Sequence, residues 1–148
     1  MILYVDSSAL VKRYVQEKGR RSLEQRLGSS DRLFSSAITF AEVHATLAAK
    51  RRGGGMDEQE LLRVQNDFER DWLQFEEIAV RQETLSVVRD LVIRVPLRGM
   101  DAIHLAAALW LARRPALKPE LISTDDRLLS AAEKFGLPVF NPEQAEKE

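Results

Sequence analysis

The stretch that most constrains the fold is "ILYV", residues 2–5, an unbroken apolar run that stops at Asp6. A continuous run, without alternation of apolar and polar residues, is typical of a strand covered on both faces in a parallel sheet. Apolar residues at helical spacing follow at once, at Leu10, Val11 and Tyr14. The opening therefore predicts a strand followed by a helix, and it raises the question of why a buried strand should end in a carboxylate.

The same alternation of strands and helices continues along the chain. Strands are predicted over 2–6, 32–36, 76–80, 120–124 and 137–140. Helices are predicted over 7–16, 20–28, 39–52, from Asp57 onward with a capping signature, along the apolar stripe 85–95, over 101–113 and over 126–135. This order favours a single α/β domain over 1–148, with a parallel sheet and helices on both of its faces.

Composition excludes several classes of protein. The 148-residue chain has no cysteine, so neither disulfides nor thiolate metal sites are available to it. Its formal net charge of −1 gives no global field that would attract nucleic acid. The longest strongly apolar stretch, "AIHLAAALWLA", is too short to cross a bilayer, and the run "ILYV" is too short for a secretory signal. We therefore expect a cytoplasmic protein.

Four acids fall where a parallel sheet would gather them. Asp6 and Asp125 follow the first and fourth predicted strands, Glu42 lies in the first turn of the helix after strand two, and Asp101 begins a buried helix. The carboxyl ends of parallel strands share one edge of the sheet, and ligands bind outside that edge. The four side chains can therefore meet there.

Each acid also has a purely structural explanation. Asp6, Asp101 and Asp125 stand at predicted helix starts, where aspartate is a favoured N-cap, and Glu42 has capping-box spacing to Thr39. Capping alone does not explain why all four should share one edge. Gathered together, they would repel one another by up to ~20 kcal/mol, and a divalent cation bound by oxygen ligands, such as Mg²⁺ or Mn²⁺, relieves that repulsion.

Four blocks of the sequence resemble the signature blocks of PIN-domain ribonucleases, specifically the VapC-type toxins of toxin–antitoxin pairs. They are "YVDSSALVKRYVQE", "SSAITFAEVHATL", "RGMDAIHLAAAL" and "ISTDDRLLSAAEKFGL", and they occur in the family's order from Asp6 to about Phe140. The resemblance implies a PIN-like three-layer α/β/α sandwich around a central, mostly parallel five-stranded sheet. It also implies a Mg²⁺-dependent endoribonuclease, for which Mn²⁺ is a possible substitute.

The resemblance assigns roles residue by residue. The family's catalytic and metal-binding acids fall on Asp6, Glu42, Asp101 and Asp125. Ser8 and Ser123 match its small hydroxyl positions, which support the acids or contact substrate, while Asp126 is left as a cap or surface residue. For Ser8, the role of an ordinary serine at a helix N-terminus remains open.

The same resemblance implies partners. These are an RNA substrate, a cognate antitoxin protein, and assembly as a homodimer or as a toxin–antitoxin hetero-oligomer. The helices on either side of "GGG" (53–55) are expected to form a groove for the antitoxin, with Phe68 or Trp72 partly exposed. Lys12, Arg13 and Arg98 flank the acidic blocks and are candidate RNA contacts.

Other interpretations remain open. His104 lies one turn after Asp101 and is expected to be a neutral core histidine, with metal ligation as the alternative. A catalytically inactive PIN-like module that binds RNA or protein would carry the same blocks. A phosphoaspartate receiver would need an acid after the third strand, and a haloacid-dehalogenase-type phosphatase would need Asp-x-Asp at the first; neither pattern is present.

Overall fold

A five-stranded, entirely parallel sheet forms the centre of the protein in this computed structural model, which describes residues 1–146. The strand order is β3-β2-β1-β4-β5. The strands are β1 Ile2–Val5, β2 Arg32–Ser36, β3 Phe75–Ile78, β4 Glu120–Ile122 and β5 Val139–Phe140. The predicted parallel sheet is confirmed; residues 147 and 148, the last two of the domain predicted over 1–148, lie outside the described residues.

Helices connect each strand to the next. They are α1 Ser7–Leu10, which continues as a 3₁₀ turn over Val11–Arg13, α2 Arg20–Gly28, α3 Ala37–Arg52, α4 Glu58–Trp72, α5 Gln82–Leu85, α6 Val88–Arg94, α7 Gly99–Ala112, α8 Asp126–Lys134 and α9 Pro142–Ala145. In the part of the chain that the structure describes, no helix has the length and apolar character needed to cross a membrane.

The side chains of β1 divide the core in two. Leu3 and Val5 pack on one face of the sheet in a cluster with residues of α1 to α4, while Tyr4 packs on the opposite face with residues of α6, α7 and α8. All three side chains are fully buried. Alternate residues of one strand therefore enter two separate cores, which is why "ILYV" contains no polar residue. The three-layer α/β/α sandwich is confirmed.

Several predicted boundaries were wrong by a few residues. β1 ends at Val5 because Asp6 already serves as the N-cap of α1, where its side chain accepts a hydrogen bond from the Ala9 N–H. β3 lies at 75–78, whereas 76–80 was predicted, and β4 ends at Ile122. The stripe 85–95 forms two short helices, α5 and α6, because the chain turns between them.

The order of the strands defines where the site lies. β1 pairs with β2 on one side and with β4 on the other. The strands that follow β1 are therefore added first on one side of it, as β2 and β3, and then on the other, as β4 and β5. In an open parallel sheet, the crevice at such a reversal lies outside the carboxyl ends of the strands. The segments after β1 and β4 border this crevice.

Candidate active site

Asp6 is the buried centre of a hydrogen-bond network at the end of β1. Its side chain has 3% of its surface exposed. Oδ1 accepts from the Ala9 N–H at 3.0 Å and from Ser8 Oγ at 2.8 Å, and Oδ2 accepts from Ser123 Oγ at 2.7 Å. Burial raises the pKa of Asp6 despite these donors. The capping explanation is therefore correct for Asp6, and the residue also holds a desolvated carboxylate at the crevice.

Two serine hydroxyls join the ends of β1 and β4. Ser8 Oγ accepts from the Thr124 N–H at 3.1 Å, and Ser123 Oγ accepts from the Asp125 N–H at 3.0 Å. Both hydroxyls in turn donate to the Asp6 carboxylate. The N–H groups of Thr124 and Asp125 are thus each connected to Asp6 through one serine hydroxyl. Ser8 and Ser123 thus fix Asp6 relative to the loop that carries Asp125.

Glu42 lies in the second turn of α3, so its predicted place in the first turn was wrong. The helix begins earlier than expected because Ser36 serves as its N-cap. Thr39 lies inside the helix, fully buried, and contacts Ser35 Oγ at 2.7 Å, so the proposed capping box does not exist. With capping removed as an explanation, the position of Glu42 at the crevice needs another reason.

Glu42 is half-buried and accepts two hydrogen bonds on one oxygen. Ser7 Oγ donates to Oε1 at 3.1 Å, and His104 Nε2 lies 2.7 Å from the same atom. Burial works to raise the pKa of Glu42, but the hydrogen bonds from His104 and Ser7 outweigh it, and the pKa is lowered. Glu42 is therefore held as a carboxylate.

Asp101 lies in the first turn of α7, but it is not the N-cap that was predicted. α7 begins at Gly99 after Arg98, which occupies the N-cap position. Burial raises the pKa of Asp101, the negative charges of Asp125, Asp6 and Glu42 raise it further, and His104 offsets part of this rise. The other three predicted acids therefore lie within electrostatic range of Asp101, although they come from three other segments of the chain.

Asp125 is the N-cap of α8, as the capping explanation predicted. Its Oδ1 accepts from the Arg127 N–H at 2.9 Å and from the Leu128 N–H at 3.1 Å. Asp126 is exposed in the first turn of the same helix. Asp125, and not its neighbour, is thus the acid that acts on Asp101.

The side chains are not gathered into a finished ligand set. Within residues 1–146, no three His, Asp or Glu side chains are grouped closely enough to hold a metal ion as they stand. Asp6, Glu42 and Asp125 are each engaged by donors of the protein itself. The donor set nevertheless fits a hard divalent cation, because it consists of carboxylate oxygens and because Asp101 carries a charge that its acidic neighbours destabilise.

His104 is a site residue whose role was missed. Its burial confirms the expected core histidine, with 1% of the residue exposed. Its contact with Glu42, 62 residues away in sequence, was not predicted. The available signal was its spacing of three residues after Asp101, which places both side chains on one face of α7.

The basic residues differ from expectation. Lys12 is buried and paired with Glu17 at 3.2 Å and with Glu143 at 2.6 Å, so its assignment as an RNA contact was wrong. Arg13 lies 3.6 Å from Asp71. The opposite charges that surround Lys12 explain how it tolerates burial.

An aromatic cluster lies between α3 and α4. Phe68 is fully buried, Trp72 is partly exposed, and Phe40 is 37% exposed. The rings of Phe40 and Phe68 lie 5.6 Å apart, and those of Phe68 and Trp72 lie 5.7 Å apart. The expected partial exposure is thus confirmed for Trp72, and the antitoxin groove stays a prediction.

Comparison with known proteins gives a family match over most of the chain. The family model described as PIN domain matches residues 3–134. Ribonuclease VapC46 of Mycobacterium tuberculosis (strain ATCC 25618 / H37Rv) is 32% identical, over 95% of this chain and 97% of the relative. Ribonuclease VapC49 of the same strain is 32% identical over 108 residues, which cover 73% of this chain and 75% of the relative.

Solved structures show the same fold. FitAcB from Neisseria gonorrhoeae superposes with a TM-score of 0.72 at 16% identity, over 96% of this chain and 98% of the other. VapBC2 from Rickettsia felis, solved bound to a DNA fragment from its promoter, gives a TM-score of 0.67 at 12% identity, over 95% and 98%. At these identities the likeness supports the fold alone.

Proposed function

From its membership of the PIN-domain family, which it shares with VapC ribonucleases, we propose that this chain is a divalent-metal-dependent endoribonuclease. We propose further that it is the toxin of a toxin–antitoxin pair. The resemblance noted in the sequence is confirmed by the family match. The substrate would be RNA, cleaved at a phosphodiester bond.

The observation that carries this proposal is the state of Asp101. Its pKa is raised by burial and by three other acids, which together outweigh the lowering effect of His104, and no hydrogen bond from residues 1–146 reaches its carboxylate. Capping does not explain its position, since Arg98 precedes the helix. A carboxylate kept charged beside like charges is an unfavourable arrangement unless a cation is bound there.

The residues that would hold Mg²⁺, or Mn²⁺ in its place, are Asp6, Asp101, Glu42 and Asp125. A divalent cation bound by them would lower the pKa of a bound water and offset negative charge on the phosphate. Glu42 carries both of its described hydrogen bonds on Oε1, which leaves Oε2 available to a cation. Asp101 is half-buried and free to move toward a ligand without breaking a hydrogen bond described for residues 1–146.

The protein's own residues perform the positioning. Ser8 and Ser123 hold Asp6, so its carboxylate keeps one orientation while substrate binds. Asp125 is fixed by the first turn of α8. The acids repel RNA phosphates when no cation is present, so chelation of the metal should abolish cleavage. Arg13, which lies 3.6 Å from Asp71, and Arg98, exposed immediately before α7, remain the candidates for a contact to RNA.

The antitoxin would occupy the groove beside the aromatic cluster of Phe40, Phe68 and Trp72. Phe40 and Trp72 offer partly exposed apolar surface that a partner segment would cover. A homodimer or a toxin–antitoxin hetero-oligomer is the assembly we propose, acting in the cytoplasm.

The test compares the wild type with Asp6→Asn and Asp101→Asn, using Asp126→Asn as the matched control. The control removes the same charge from an exposed residue next to the site. We expect the wild type and the control to arrest growth on expression and to cleave structured RNAs in a chelator-sensitive manner, while both site variants do neither. Unchanged toxicity and cleavage in Asp6→Asn and Asp101→Asn would refute the catalytic assignment. RNA binding without cleavage in the wild type would instead favour the inactive binding module.

A further inference from the structure

A chain of hydrogen bonds runs from the sheet core to the crevice. Tyr4 Oη lies 2.8 Å from His104 Nδ1, and His104 Nε2 lies 2.7 Å from Glu42 Oε1. Tyr4 and His104 are both buried, and their rings meet edge to face with centroids 5.9 Å apart. These hydrogen bonds therefore connect Tyr4, in the centre of β1, to Glu42 of α3 through His104 of α7.

The direction of the hydrogen bonds follows from the chemistry of the groups. The Glu42 carboxylate only accepts, so His104 Nε2 carries the proton and donates. The phenol of Tyr4 carries a proton near neutral pH, and its Oη lies 2.8 Å from His104 Nδ1. That hydroxyl can then donate to an unprotonated Nδ1, which fixes the Nε2–H tautomer of the imidazole.

An apolar side chain would suit this part of α7 better if packing were the only requirement. The neighbouring residues Ala102, Leu105, Ala106 and Ala107 are all buried, and a polar ring among them carries a desolvation cost unless both nitrogens are bonded. His104 satisfies both nitrogens, and one of them acts on the crevice. Its place in the core is thus coupled to the orientation of Glu42.

We propose that His104, held in one tautomer by Tyr4, is the positioning residue that fixes Glu42 with Oε1 occupied and Oε2 open to the cation. This inference rests on the proposed function, because it assigns a purpose to the free oxygen of Glu42. Ser7 reinforces the arrangement by donating to the same Oε1 at 3.1 Å. Partners that orient a metal ligand in this way typically change metal affinity by about 10- to 100-fold when they are removed.

The experiment uses two isosteric variants of one residue. His104→Gln places an amide N–H near the position of Nε2, and His104→Asn places its amide near Nδ1, so only the first retains a donor toward Glu42. Mn²⁺ binding to the full chain is measured by electron paramagnetic resonance, without RNA. Leu111→Ala, a buried change in the same helix away from the crevice, controls for loss of stability.

We expect Mn²⁺ to bind about tenfold or more weakly to His104→Asn, while His104→Gln and Leu111→Ala retain most of the wild-type affinity. Tyr4→Phe should weaken binding by an intermediate factor, because it releases the tautomer without removing the donor. Equal affinity in His104→Asn and His104→Gln would overturn the proposal, as would a loss in Leu111→Ala as large as that in His104→Asn.

A second measurement reads the tautomer directly. The chain has two histidines, so ¹⁵N imidazole resonances are assigned with a single His44→Gln variant. In the metal-free protein we expect His104 to show protonated Nε2 and unprotonated Nδ1, and the opposite tautomer would overturn the proposal. If wild-type protein binds no Mn²⁺ at all, the proposed function fails first; if it binds normally and the His104 variants do too, only the positioning role fails.

Discussion

Replacing Asp101 with asparagine should make the metal-free protein more stable while it destroys the site. Asp101 is half-buried, and three like charges act on it. At about 0.5 kcal/mol for each partly exposed pair, removal of these three repulsions raises the free energy of unfolding by ~1.5 kcal/mol. Loss of a favourable acid from the first turn of α7 lowers it by about 0.5 kcal/mol. The net gain is about 1 kcal/mol, which for a chain of this size raises Tm by about 3 °C.

The sign of the pH dependence is fixed by the direction of the pKa shift. A raised carboxyl pKa means that the folded state binds the proton more tightly than the unfolded chain does. The penalty from ionised Asp101 is therefore present above the folded pKa and disappears as the pH falls below the ordinary carboxyl range. The difference in Tm between Asp101→Asn and the wild type should shrink from neutral pH to about pH 4.

The assay is thermal unfolding in chelator and in a large excess of Mg²⁺. The wild type should gain stability with the cation, by about 2.7 kcal/mol at a concentration 100 times its Kd, whereas Asp101→Asn should gain little because a ligand is lost. Asp126→Asn, which removes an exposed first-turn acid, should respond to Mg²⁺ like the wild type. A lower Tm for Asp101→Asn in chelator, or an undiminished response to Mg²⁺, would refute the reasoning.

Two further substitutions test the contacts around the site and the sheet. Ser123→Ala removes a buried donor to Asp6 and the acceptor for the Asp125 N–H. We expect the free energy of unfolding in urea to fall by about 1–3 kcal/mol and Mn²⁺ to bind more weakly. A loss of stability without weaker Mn²⁺ binding would contradict the role of Ser123 in holding Asp6. Arg26→Lys replaces two hydrogen bonds of 2.9 Å to Glu120 by a single point charge, so the free energy of unfolding should fall by about 1 kcal/mol. An Arg26→Lys variant as stable as the wild type would contradict this role of the paired hydrogen bonds.

Helix starts were the weakest part of the sequence-based prediction. Their observed positions remove the capping explanation for Glu42 and Asp101. α3 begins after Ser36 and α7 begins after Arg98, and both of these N-cap residues have extended backbone. Each helix therefore begins two residues before the start that its capping pattern predicted. Thr39 and Asp101 looked like caps only from local spacing. Once the starts move, Glu42 and Asp101 have no capping role and belong to the crevice alone.

Long-range pairing was out of reach for a different reason. Lys12 is surrounded by Glu17 and Glu143, and the latter comes from the far end of the chain. Proximity in sequence to an acidic block had suggested an exposed residue. The direction of such a side chain depends on the packing of α9 against α2, and no local pattern encodes that packing.

The sequence by itself predicted the parallel sheet and the acids at its carboxyl edge, since a run such as "ILYV" is typical of a doubly covered strand and the residue after such a strand lies at that edge. Only the tertiary structure decided how those acids are held. The bond between His104 and Glu42 joins two helices on the same edge, and its existence depends on how each helix is rotated about its axis when both pack against the sheet. That rotation is set by the whole core, so it is a property of the folded chain and of no single segment.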